Sequence, residues 1–128
     1  MNTAYRVWDG EQMHYWDDEG LSLVITGGGW SLYRHTSLSL HPIRLADSTQ
    51  KNAALMWGTG LKDKTGKGIY EKDIDMADEE PMIVIMENGH YGLKFLDGSA
   101  YFDYSVDWEE CEIGGDTYQN PELLEGAE

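Results

Sequence analysis

The stretch ALMWGTGLKDKTGKGIYEKDID, residues 54–75, decides how the rest of the chain reads. Ala54 to Trp57 is a short apolar run suited to a strand, Lys62 to Lys67 gathers the lysine, aspartate, threonine and glycine typical of turns, and Ile69-Tyr70 restarts a strand. The unit is therefore strand, loop, strand. Two nucleotide motifs come close and fail. A phosphate loop ending at Gly66-Lys67 needs glycine where Leu61 stands and a hydroxyl where Gly68 stands. A dinucleotide fingerprint opening at Gly58 and Gly60 needs glycine where Asp63 stands.

Outward from that unit, the chain continues in strands and turns. Ala4 to Trp8 and Gln12 to Trp16 read as two strands joined by Asp9-Gly10-Glu11, with Tyr5 and Val7 on one side and Arg6 and Trp8 on the other. Leu21 to Thr26 is a strand with Leu21, Leu23 and Ile25 on one face, ended by Gly27-Gly28-Gly29. A glycine triplet forms an oxyanion hole in some hydrolases, but no Gly-x-Ser-x-Gly turn accompanies it, so a loop or sharp bend is expected. Trp30 to Leu40 follows, in which Ser31 to Ser39 reads as one long strand, with a short helical piece as the alternative; His41-Pro42 breaks it, and Ala46 to Asn52 is a polar loop. Met82 to Glu87, Asn88-Gly89 and His90 to Leu96 form the clearest hairpin, since Asn-Gly supplies the positive-φ residues of a type I′ turn. Asp97-Gly98 turns the chain into Ser99 to Val106, completing a three-stranded meander; Trp108 to Ile113 adds a strand, and Gly114-Gly115 ends the pattern.

The 128 residues are 41% apolar, enough for one domain with a core; a single domain over 1–124 and a frayed 125–128 are expected. Fifteen glycines, eight tyrosines and five tryptophans favour short strands over long helices. The one cysteine, Cys111, forms no internal disulfide and fits a reducing compartment; with no basic leader and no long apolar run, a soluble, cytoplasmic protein is expected. The formal charge is −15, and it is uneven: residues 1–64 hold seven acids and six Lys or Arg, residues 65–128 seventeen acids and three. Cations meeting phosphates drive nucleic-acid binding, so direct binding to nucleic acid is disfavoured, as is docking on an anionic membrane.

The central stretch resembles the signature of the YopX family, small proteins encoded by bacteriophages and prophages, which runs Leu-Met-Gln-Tyr-Thr-Gly-Leu-Lys-Asp-Lys-Asn-Gly-Lys, a variable residue, then Ile-Tyr-Glu-Gly-Asp-Ile-Val. Leu55, Met56, Thr59 to Lys64, Gly66, Lys67, Ile69 to Glu71, Asp73 and Ile74 match in register. Trp57 and Gly58 replace Gln-Tyr, Lys72 replaces a glycine, and Asp75 replaces the final valine. Lys72 must therefore tolerate positive φ or mark a different turn. Asp75 implies a strand that begins later or faces water. Tyr5 to Asp9 with Met13, and Gly115 to Leu124, resemble the opening and closing of the same family, so the resemblance is colinear and full length. It brings no catalytic or ligand residue with it.

His14, His35, His41 and His90 show no metal-ligand spacing, and the acidic run from Asp73 to Glu80 lacks the glycine and glutamate of a calcium loop. No catalytic, cofactor-binding or metal-binding residue is assigned. The fold expected is mainly β: a small antiparallel, partly open barrel, SH3-like in character, with an N-terminal β-hairpin and a short C-terminal helical turn after Asn120-Pro121. The function expected is that of a phage or prophage accessory protein acting by non-catalytic binding. Its acidic half would mimic nucleic acid toward a basic host or phage protein, in counter-defence or host takeover, through Asp73, Asp75, Asp78, Glu79 and Glu80 and through Asp107, Glu109, Glu110 and Glu112, clusters at the two ends of the meander. The alternative is a small-ligand-binding protein or enzyme with an aromatic, glycine-rich pocket around Trp30, Trp57 and Gly58. Self-association is expected through the more neutral first half.

Overall fold

A computed structural model describes residues 4–37, 40–77, 80–87, 89–96, 101–102 and 106–125. The architecture is mainly β with antiparallel sheets, and has two compact units, Ala4–Met56 and Trp57–Glu128, that divide within one strand.

In the first unit, β1 (Tyr5–Trp8) and β2 (Met13–Tyr15) form the expected hairpin, with Val7 opposite His14. Asp9 shapes its turn. One carboxylate oxygen accepts from the N–H groups of Glu11 and Gln12 at 2.7 Å, and the other meets His14 Nε2 at 2.8 Å. Gly10 sits at φ +105°, and a Cβ there would lie 2.6 Å from the Asn52 amide, so the position admits only glycine. β3 (Leu21–Thr26), β4 (Gly29–Arg34) and β5 (Ile43–Asp47) make a three-stranded sheet in that order. Val7, Leu32 and Ala46 are its buried centre, with Leu21, Leu23, Trp30 and Leu45 packed around them.

Three local readings change here. The glycine triplet is a two-residue turn, because Thr26 pairs with Gly29, which already belongs to β4. The strand after it stops at Arg34 instead of running to Ser39, and Leu38 and Ser39 lie outside the described residues. Ile43–Asp47, whose last two residues read in sequence as the start of a loop, is a strand. Its charged ends mask its pattern: Arg44 and Asp47 pair at 3.4 Å across a bulge that turns Ala46 inward against Leu32.

The second unit opens with β6 (Ala54–Lys62), whose first residues belong to the unit before it, and turns through residues 63–67 into β7 (Gly68–Tyr70). Strand, loop and strand are as read, with the first strand longer because its polar end still ladders, Lys62 opposite Gly68. β8 (Asp73–Asp75), β9 (Met82–Glu87), β10 (His90–Phe95), β11 (Tyr101–Phe102) and β12 (Ile113–Asp116) form a five-stranded sheet ordered β11-β10-β9-β8-β12. Ile69, Met82, Val84, Leu93, Cys111 and Ile113 fill its core, flanked by Phe95, Val106 and Trp108.

The β9–β10 hairpin has the expected register, Glu87 opposite His90, and Gly89 has φ +81°. Asn88, the Asp97-Gly98 turn and most of Ser99 to Val106 lie outside the described residues. The strand expected over Trp108 to Ile113 is displaced. Trp108–Glu110 is a 3-10 turn capped by the Asp107 carboxylate, and β12 begins at Ile113 and runs through Gly114-Gly115. These glycines continue the strand because Cβ atoms on them would lie 2.5 Å from Met76 and from Asn120. The C-terminal helical turn, Glu122–Glu125, is present; Asn120 accepts Leu123 N–H on its backbone oxygen, while its side-chain oxygen turns back to Asp116 N–H. Among the described residues no helix is long and apolar enough to cross a membrane.

Lys72, where the family signature has glycine, has φ +71°. It keeps the turn and bears the strain of a side chain in the left-handed region. Lys72→Gly is expected to raise stability by up to about 1 kcal/mol, and Gly89→Val, which puts a β-branched residue at positive φ, to lower it by about 1–2 kcal/mol. Urea unfolding midpoints that move the other way in either variant would contradict these assignments.

Candidate functional site

The central loop is built around Asp63, which is 5% exposed. Its Oδ1 accepts from Thr65 N–H at 2.9 Å, the Thr65 hydroxyl at 2.7 Å and Lys67 N–H at 2.9 Å, which closes Asp63 to Lys67 into a tight turn. Its Oδ2 accepts from Ile113 N–H at 2.9 Å, fifty residues away, and Lys64 N–H donates to the Cys111 carbonyl beside it. Burial pushes the Asp63 carboxyl up, but the bonds from Ile113, Thr65 and Lys67 outweigh it and bring its pKa down to about 2. Sequence reading treated this residue as part of a turn. The missed signal is Asp-x-Thr-Gly, in which an aspartate that binds its own turn still has a second oxygen to offer.

Three more aspartates of this unit are buried the same way. Asp73, 2% exposed, accepts from Tyr70 N–H at 2.7 Å. Asp75, 4% exposed, accepts on one oxygen from Ala77 N–H at 3.1 Å and Glu112 N–H at 2.9 Å. Asp116 accepts from the N–H groups of Tyr118 and Gln119 and from the Gln119 amide.

This sorts the candidate acidic residues. Asp73 and Asp75 face inward and hold backbone, so they are not part of an exposed partner surface; the strand that was expected to begin later or face water starts with them instead. A buried aspartate is stable there because N–H donors replace the water it loses. Asp78 and Glu79 lie outside the described residues, and Glu80 is exposed. Asp107, Glu109, Glu110 and Glu112 are all exposed, the first three on and beside the 3-10 turn. Glu112 pairs with Lys64 at 3.3 Å, both side chains about half exposed, an arrangement worth little in water. β8 runs between β9 and β12, so Asp75 and Met76 lie beside Glu112: Met76 N–H bonds to the Glu112 carbonyl and Glu112 N–H to the Asp75 carboxylate.

The aromatic candidates are placed separately. Trp30 packs on the core of the first unit and bonds Ser48 through its backbone N–H at 3.2 Å. Trp57, in the second unit, is 37% exposed; its backbone is clasped by Glu71, whose carboxylate accepts Trp57 N–H at 2.8 Å, and Gly58 beside it is buried. The Gly27-Gly28 turn is exposed. An open depression of about 580 Å³ lies in the first unit, lined by Asp18, Glu19, Arg34, His35, Thr36 and Ser37, and contains none of the aromatic candidates. Among the described residues no group of three or more His, Cys, Asp or Glu side chains is placed to hold a metal ion.

Cys111 is buried, 3% exposed, and its thiol is pushed up to about 12, by burial first and then by the carboxylates of Asp75, Asp107 and Asp63. A thiol held protonated does not act as a nucleophile.

Fold and surface define a small antiparallel β protein whose chemistry is concentrated in hydrogen-bonded aspartates and outward carboxylates. The chain matches the YopX protein family over residues 4–125 and belongs to it. It is 48% identical to the SPbeta prophage-derived protein YopX of Bacillus subtilis strain 168, over 99% of both chains. The crystal structure of YopX from Bacillus subtilis is similar with a TM-score of 0.76 at 42% identity, covering 96% of this chain and 98% of that one. A crystal structure of an Enterococcus faecalis protein shares the fold with a TM-score of 0.60 at 19% identity, covering 94% of this chain and 96% of that one.

The Asp63 carboxyl titrates lower in the folded chain than its ordinary 3.8, so its stabilisation is complete above about pH 5 and is lost as pH falls through about 2. That shift amounts to roughly 2 kcal/mol. Asp63→Asn keeps one acceptor oxygen but turns an amide N–H₂ toward the other donors, so it is expected to unfold more easily at pH 7 and to show a flatter acid limb between pH 5 and 2. Equal loss of stability on acidification in both proteins would contradict this. Cys111 is expected to resist iodoacetamide at pH 8 in the folded protein and to react readily in 6 M guanidinium, read by mass spectrometry.

Proposed function

We propose that this chain is a phage or prophage accessory protein that acts by non-catalytic binding, presenting an acidic surface to a basic host or phage protein. The observation that carries this reading is the division of labour among its acids. Asp63, Asp73, Asp75 and Asp116 are buried on backbone N–H groups, whereas Glu109, Glu110 and Glu112, with the exposed Asp107 that caps the 3-10 turn, stand outward within a half of the chain that carries seventeen acids and three Lys or Arg. Outward carboxylates crowded on a 3-10 turn raise the local negative potential, which speeds encounter with a cationic partner and opposes contact with nucleic acid. The prophage origin of the relative that is 48% identical supports the setting.

The test is a host-lysate pull-down with the wild-type chain and with a variant carrying Asp107→Asn, Glu109→Gln, Glu110→Gln and Glu112→Gln. The expected result is a captured basic protein whose yield falls as salt rises and is lost in the variant, with the fold intact by circular dichroism. Recovery that ignores both salt and substitution would make the carboxylates a solubilising coat only.

A further inference from the structure

The three-stranded sheet of the first unit has two edges that differ in kind. The β5 edge carries the Arg44–Asp47 ion pair and a bulge, two devices that keep a strand from recruiting another. The β3 edge, Leu21-Ser-Leu-Val-Ile-Thr26, has neither charge, nor proline, nor bulge, and exposes Val24 (46%) and Ile25 (58%). Among the described residues no strand pairs with its outer side.

The hydrogen-bond phase of that edge is fixed. His35 N–H donates to the Gly20 carbonyl at 2.8 Å, so the even-numbered residues from Gly20 to Thr26 point their backbone groups at β4, and Leu21, Leu23 and Ile25 point theirs outward. Leu21 N–H is already taken by the Asp18 carbonyl. The outward donors left over are those of Leu23 and Ile25.

We propose that this edge docks a second copy of the chain, the two β3 strands pairing antiparallel about a two-fold axis at Leu23 to join two three-stranded sheets. In that register Leu23 bonds its own counterpart in both directions, and Ile25 N–H of each copy meets the Leu21 carbonyl of the other. The outward donors of Leu23 and Ile25 find acceptors; the one bond of the register that is not made is Leu21 N–H to the Ile25 carbonyl of the other copy, because that N–H stays on the Asp18 carbonyl. On the faces, Leu21 lies beside Ile25 and Ser22 beside Val24, so no charged side chain enters the seam.

Charge selects this occupant. The chain carries −15 in all, about −2 in Ala4–Met56 and −13 in Trp57–Glu128, so a second copy is repelled from most of the molecule and meets least repulsion on the first unit, along a strand with no charge. A basic partner would gain nothing there over the carboxylates elsewhere. The pairing is independent of the acidic-surface reading.

The test is sedimentation equilibrium over a wide concentration range with wild type, Val24→Lys and Val24→Thr, joined to hydrogen exchange of the wild type at low and high concentration. Val24→Lys brings two lysines to neighbouring positions across the seam, and is expected to weaken dimerisation at least tenfold while Val24→Thr leaves it near wild type. The amides of Leu23 and Ile25 are expected to gain protection with concentration, whereas Leu21, already bonded, changes little. A wild type that stays monomeric overturns the proposal, as does a dimer whose Leu23 and Ile25 amides exchange equally at both concentrations. If Val24→Lys fails to fold, the exchange comparison in the wild type decides alone.

Discussion

The second unit depends on one carboxylate. Asp63 closes its own five-residue turn with one oxygen and reaches the start of β12 with the other, so a local loop and a strand fifty residues later share a single buried charge. Each bond is charge-assisted and desolvated, which makes it stronger than a neutral bond and makes its loss costly. Close by, Lys64 N–H bonds the Cys111 carbonyl, and Cys111 and Ile113 bring their side chains into the core with Ile69. The turn therefore fixes where the returning chain enters the sheet.

The same device recurs. Asp73 holds the turn after β7, Asp75 ties β8 to Glu112, and Asp116 folds the chain back before the C-terminal helical turn. Short strands bury little apolar surface each, and connections between them leave N–H groups that must be satisfied. Aspartate meets that need with two oxygens on a short stem. A chain of −15 can bury these carboxylates because N–H donors meet each of them, while repulsion among acids that face water is screened.

This allocation governs what the surface offers. Acids of one sequence run, Asp75 and Glu80 for example, do different work: one holds backbone, the other faces solvent. Among the described residues, an outward group of carboxylates gathers around the 3-10 turn. It is held on a frame that the inward aspartates build. The aromatic residues divide likewise, Trp30 supporting one core and Trp57 standing partly exposed in the other unit.

By itself the sequence determined the β class, the hairpin at Gly89, the strand-loop-strand unit and the family, because each rests on local alternation, turn chemistry or matched residues within a few positions, whereas at Lys72 it left positive φ and a different turn both open. It did not determine that Ile43–Asp47 is a strand, that Gly114-Gly115 continue one, or which aspartates are buried. Those were decided by tertiary structure. A strand with charged ends is recognisable only once a neighbour supplies its ladder, and a glycine pair is a strand only where Met76 and Asn120 leave no room for side chains. Whether a carboxylate faces water or backbone depends on donors such as Ile113 N–H, which lie far along the chain and meet it only when the sheet has formed.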